Sequence, residues 1–115
     1  ITKATAAQKN VLSIKDETKY MVYLKQDIQP LVPAFLENRK NDLRQLAIAI
    51  DLNDYREVEN ITHLMRGVSG TFGFNRLTEF CHLASAAAKA ADQKKLREIY
   101  NSMTNHLNRA KITYV

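Results

Sequence analysis

Residues 54–74, DYREVENITHLMRGVSGTFGF, read as one amphipathic helix with its own start and stop. Val58, Ile61, Met65, Val68 and Phe72 recur at three- and four-residue spacing, which gathers them into one stripe on a helix that advances about 100° per residue. Asn53 or Asp54 supplies a side-chain oxygen for the free N–H groups of the first turn. Gly73 ends the helix, as a residue able to take a left-handed conformation does. One apolar stripe needs partners, and the flanking sequence offers them.

Upstream, a helix starting near Pro33 carries Phe35, Leu36, Leu43, Leu46, Ala47 and Ile50 on one side, Pro being suited to a first turn where its missing N–H is not needed. Residues 51–54, DLND, break it. Downstream, Asn75 is the expected cap of a third helix with Leu77, Phe80, Cys81, Ala84, Ala87 and Ala88 inward. Asp92 caps a fourth, with Leu96, Ile99, Tyr100, Met103, Leu107 and Ala110 inward. Met21, Leu24, Ile28 and Leu31 are spaced for a short leading helix over about 17–29, although KYMVYL (19–24) also alternates as an extended segment would. Residues 1–16 show no periodicity and read as a tail or linker, leaving 17–115 as the domain. Short connections make successive helices antiparallel. The expected fold is all-α: an up-and-down four-helix bundle with an additional N-terminal segment or short helix.

Composition agrees with this. The chain has 115 residues, enough for one core, and with 3 Gly, 2 Pro and no Trp it favours helices over sheets. No run approaches the roughly 18 apolar residues of a membrane span, and the opening ITKATAAQKN lacks the apolar stretch of a signal peptide. A lone Cys81 forms no internal disulfide, which points to a reducing, cytoplasmic setting. The initial Ile suggests a piece of a longer protein. The net charge of +5 invites an acidic partner. No basic run exceeds two residues (Arg39-Lys40, Lys94-Lys95), which argues against tracking a nucleic-acid backbone.

Chemistry concentrates on the face opposite the stripe. With His63 at zero, the five apolar positions fall within about 40° of the opposite pole, so His63 is expected to face solvent in mid-helix. Gly67 and Gly70 follow one and two turns later, each within about 40° of His63. An exposed Gly inside a helix costs roughly 1 kcal/mol relative to Ala, and two on one face call for a reason. They leave the imidazole uncovered, with room for another protein to approach. Arg66, about 60° around, reaches an anion attached to the ring. An imidazole titrates near neutrality, so an exposed one keeps a large neutral share at pH 7, and a neutral ring nitrogen is a nucleophile toward phosphorus.

His63-Leu64-Met65-Arg66-Gly67, with Gly73 ten residues after the His and Leu77 fourteen after it, resembles the histidine-containing phosphotransfer (HPt) domain family. Leu31–Arg39 (LVPAFLENR), Asp54 and Gly73-Phe74 extend the similarity, which covers roughly residues 21–115. The resemblance implies a phosphorelay intermediate of two-component signalling that exchanges a phosphoryl group with receiver-domain aspartates. His63 would be the phosphoacceptor, Arg66 would stabilise the phosphate and Gly67 would leave space beside the ring. Thr62 stands where Ala or Gly is common in the family, and Val68 where Ser is common. Glu59, one turn before His63, and Asn60 would face the partner. The expected cofactor is none, a divalent metal belonging to the partner receiver, and a monomer is expected over a dimer. Two other readings are a module that docks a receiver without transfer, and the phosphorylated domain of a larger chemotaxis-type kinase.

The remaining residues offer little chemistry. Cys81 and His82 diverge by about 100° on a helix and cannot readily share a metal. Cys81 is expected in the core, His82 and His106 at the surface or boundary. The sequence has neither a Gly-rich phosphate loop nor a paired-carboxylate site, so no kinase or hydrolase activity is expected.

Overall fold

The computed structural model describes residues 20–115; the tail expected at 1–16 lies outside them. Strand β1 (Met21–Leu24) leads into a 3-10 helix at Gln26–Leu31. Four helices follow: α1 (Val32–Asp51), α2 (Tyr55–Phe72), α3 (Asn75–Lys89) and α4 (Gln93–Arg109). Strand β2 (Lys111–Tyr114) is the last element, followed by Val115. Each helix packs on its sequence neighbour, and α1 against α4 closes the four-helix bundle.

All three helix connections are built alike. Asn53 (φ 54°), Gly73 (φ 95°) and Ala91 (φ 52°) are left-handed, and the residue after each donates its N–H back across the turn. Asp54 reaches the Ala49 carbonyl, Phe74 that of Ser69 and Asp92 that of Ala87, each at 2.9 Å, which satisfies carbonyls the ending helix leaves open. The same residue then starts the next helix. Asp54 accepts from the Glu57 N–H at 3.1 Å and Asp92 from that of Lys95 at 3.0 Å. The expected cap at Asn75 is corrected: Phe74 holds that position without a side-chain bond, because its ring is fully buried. Phe35 stacks on Phe74 at 4.6 Å and on Phe72 at 4.4 Å, tying α1 to this turn.

Of the two readings open for the leading segment, the extended one holds: the alternation of KYMVYL wins over the helical spacing, and among the described residues no helix runs from before Met21 to 29. Val22 and Leu24 turn inward while Met21 and Tyr23 stay out. β1 pairs in parallel with β2, Val22 opposite Ile112 and Leu24 opposite Tyr114. Leu31, counted on that helix's face, is exposed.

The core stripe of α2 sits further round than its apolar residues suggest. Val58, Ile61 and Met65 are buried as expected, but Val68 is 38% exposed and Phe72 only half-buried. Thr62 and Ser69 are buried in their stead. Thr62 tolerates this because its hydroxyl donates to the Val58 carbonyl at 2.8 Å within the helix.

His106, expected at the surface or boundary, is 1% exposed. Its ring stacks on Tyr20 with centroids 6.2 Å apart and meets the edge of Phe80 at 6.1 Å. Burial holds this imidazole below its ordinary titration range, and nearby Arg76 pushes in the same direction.

Candidate functional site

His63 lies in the middle of α2 with its side chain exposed. Arg66, one turn on and half-buried, projects toward α3. One terminal nitrogen of its guanidinium lies 3.4 Å from His63 Nδ1 and the other 3.3 Å from His82 Nδ1, on α3. Arginine carries only donors, so both contacts use a ring nitrogen with a free lone pair. Two imidazoles thus flank one cation.

Arg66 has no carboxylate partner among the described residues. Other arginines do: Arg39 meets Asp42 at 2.7 Å, Arg97 meets Asp51 at 3.0 Å and Arg76 meets Glu79 at 3.9 Å. The charge of Arg66 is therefore uncompensated where an anion on His63 would sit. Neither Glu59, half-buried, nor Asn60, exposed, enters the hydrogen bonds joining His63, Arg66 and His82.

The two glycines beside His63 are not needed by the fold. A Cβ built at Gly67 meets no atom within 4 Å, and one at Gly70 meets only the Thr78 hydroxyl, at 3.8 Å. Both distances leave room for a methyl group. The contrast is Gly73, where a Cβ would stand 3.2 Å from Leu24 Cδ2 on a left-handed backbone. The result is a smooth surface beside the imidazole. Leu64 (70% exposed) and Val68 are exposed on the same helix, and Ile48, Leu52 and Ile61 line a shallow groove between α1 and α2.

Nothing in the local sequence signals that His82 joins this site. Its own helix gives no hint, since the contact depends on how α3 is set against α2. Its neighbour Cys81 is buried while His82 is exposed, so the two do not converge. Burial pushes the Cys81 thiol up to about 12, although Arg66 and Arg39 pull the other way. Among the described residues, no group of three or more His, Cys, Asp or Glu side chains is gathered to hold a metal ion, and no helix is long and apolar enough to cross a membrane.

The family model described as Hpt domain matches residues 30–111, well over half of the chain. This chain belongs to the Hpt domain family. No curated protein and no solved structure matches it. The match spans α1 to α4 and the first residue of β2, and includes His63, Arg66, Gly67 and His82. Hpt domains are phosphotransfer modules of two-component signalling that interact with receiver domains, phosphocarriers in general and not enzymes. In this Hpt domain β1 precedes the matched region, yet it packs Leu24 against Gly73 at the turn that ends α2.

Proposed function

We propose that this Hpt domain is a phosphorelay intermediate that takes up a phosphoryl group on His63 and exchanges it with receiver-domain aspartates. The observation that carries this reading is an exposed imidazole whose flanking glycines, Gly67 and Gly70, are not needed by the fold. A neutral ring nitrogen attacks the phosphorus of the receiver's aspartyl phosphate. The N–P bond forms as the O–P bond to the aspartate breaks, and the carboxylate leaves with the bonding pair. The reverse step returns the group to a receiver.

The domain contributes access and one cation. Arg66, without a carboxylate partner, offsets negative charge on the phosphoryl oxygens. Gly67 and Gly70 admit the receiver surface, and the exposed Leu64 and Val68 give it apolar area to cover. Glu59 and Asn60, on the turn before His63, are the remaining residues assigned to face the partner. Any divalent metal belongs to the receiver, where the acyl phosphate is made and broken. The free Cys81 and the family's receiver partners support a cytoplasmic setting, and one copy of the chain carries every residue invoked.

The test is intact-mass spectrometry after incubation with a phosphorylated receiver or a small-molecule phosphodonor. One added phosphate that is lost in acid, survives base, and disappears in a folded His63→Gln variant is the expected result. A folded wild-type protein that takes phosphate from no donor would instead be a module that docks receivers without transfer.

A further inference from the structure

We propose that the cleft between the start of α3 and the end of α4 is a binding site for a small oxyanion, a phosphate or carboxylate group, held by Arg76, Asn105 and the Nε2–H of His106. The cleft shares no residue with the contacts that join His63, Arg66 and His82.

The cleft measures about 180 Å³ and is lined by Tyr20, Arg76, Phe80, Ser102, Asn105 and His106. Helix spacing gathers these residues. Ser102, Asn105 and His106 fall three and four residues apart on one face of α4, and Arg76 and Phe80 lie one turn apart on α3. His106 is the most deeply buried of the six, its ring stacked on Tyr20 and set against the edge of Phe80. Its Nε2, the ring nitrogen distal to the backbone, is buried without a hydrogen-bond partner. A buried polar atom left unpaired is costly, and folded proteins rarely leave one so. An oxygen of a ligand in the cleft would give it a partner.

Charge decides what kind of ligand that is. Arg76 brings a guanidinium, and no carboxylate is among the lining residues. Its ion pair with Glu79 is long, at 3.9 Å, and both side chains are exposed, so that contact holds the cation only weakly. Arg109 adds a second positive charge on Tyr20, its guanidinium 4.2 Å from the ring centroid. The first turn of α3 contributes partial charge of the same sign, because Phe74 caps it without a side-chain acceptor. Arg76 also pushes the titration of His106 down, which places the two groups within electrostatic reach of each other. The Ser102 hydroxyl donates to the Glu98 carbonyl at 3.2 Å. Three donors are left: the Arg76 fork, the Asn105 amide and His106 Nε2–H. Such a set, with no competing acid, suits an oxygen-rich anion and repels a cation.

The test is an NMR titration of the full chain with sodium phosphate and, separately, with sodium acetate, against sodium chloride at matched ionic strength. The His106 ring, the Asn105 side-chain amide and the Arg76 Nε–H report on the cleft, and the His63 ring reports separately on anions near Arg66. Saturable shifts at His106, Asn105 and Arg76 with phosphate, acetate or both, absent with chloride, are expected. The anion held more tightly identifies the ligand as phosphate-bearing or carboxylate-bearing. The dissociation constant should be about 1 mM or lower. Arg76→Gln and Asn105→Ala, both at exposed positions, should melt as wild type does and bind more weakly, roughly tenfold for the loss of the Arg76 charge. Shifts that appear only at His63 would overturn the site. So would shifts that stay linear with concentration or match those in chloride, the behaviour of an adventitious ion only. Undiminished affinity in both folded variants would likewise remove the cleft as the place of binding.

Discussion

Replacing Gly67 by Ala should make this protein more stable and worse at its task. The residue lies inside α2, with open space where a Cβ would go. Gly in a helix interior costs about 0.5–1 kcal/mol relative to Ala, mostly backbone entropy lost on folding. Since the added methyl group clashes with nothing, that amount should be recovered in full. For a domain of this size the gain corresponds to a rise in Tm of about 4 °C. Gly70→Ala should add a similar increment, because its new Cβ would be in ordinary contact with Thr78 at 3.8 Å. Function should move the other way. The methyl group at position 67 projects into the space a receiver fills, and one extra methyl in a closely packed contact costs roughly 1–3 kcal/mol. Transfer from a phosphorylated receiver should slow by about tenfold or more, while uptake from a small phosphodonor, which needs no protein interface, should change little. Thermal melts and a receiver-versus-small-donor rate comparison on one preparation provide both numbers. A Gly67→Ala protein that melts lower than wild type would refute the open-space argument. One that melts higher but accepts from receivers at the wild-type rate would refute the access role.

Other consequences of the structure are open to simpler measurements. Ala91 holds a left-handed turn that favours Gly, so Ala91→Gly should stabilise the fold by about 0.5–1 kcal/mol in a denaturant titration; no gain would mean that the turn relaxes. His106 is kept neutral by burial, its titration lying below the ordinary range only in the folded state. The unfolded chain then binds the extra proton first, so its stabilising contribution is complete above about pH 6.5 and is lost as pH falls below that, at up to about 1.4 kcal/mol per pH unit. A His106→Gln variant should melt with a flatter dependence over that acid range, and an unchanged slope would remove His106 as the cause. Cys81, its thiol raised to about 12 and its side chain 1% exposed, should resist alkylation in the native protein and react once denaturant unfolds it. Rapid native labelling would contradict the burial.

Features that depend on a few consecutive residues are legible in the chain itself. Asp54 and Asp92 announce helix starts because the capping oxygen is on their own side chains, and Gly73 announces a stop because few other residues accept its backbone angle. The His63 face is readable for the same reason, since Arg66, Gly67 and Gly70 lie on one helix at fixed angular offsets. What stays hidden depends on pairings between distant segments. β1 finds its partner about ninety residues away, and nothing within KYMVYL indicates whether a strand is waiting. His106 looks like a surface residue until Tyr20, on the other end of the domain sequence, stacks on it. The rotation of the α2 stripe is masked by Thr62 and Ser69, which hydropathy scores as polar although helix carbonyls can absorb a threonine hydroxyl. His82 enters the site only through the setting of α3 on α2, a register that side-chain periodicity on either helix leaves open.

The pairing of β1 with β2 bears on how the domain would respond to tension. Because the two strands run in the same direction, the chain enters β1 at the Met21–Lys111 end and leaves β2 at the Leu24–Tyr114 end. A pull on the two ends of the domain therefore drags the strands lengthwise past one another. The inter-strand bonds share that load together, as the stitches of a lap seam do, and do not open one after another. The helices behind them, including the pair that carries His63, Arg66 and His82, would be shielded until the seam slips. A short ribbon that buries Val22 and Leu24 in the core thus also gives the bundle a mechanical latch across its two ends.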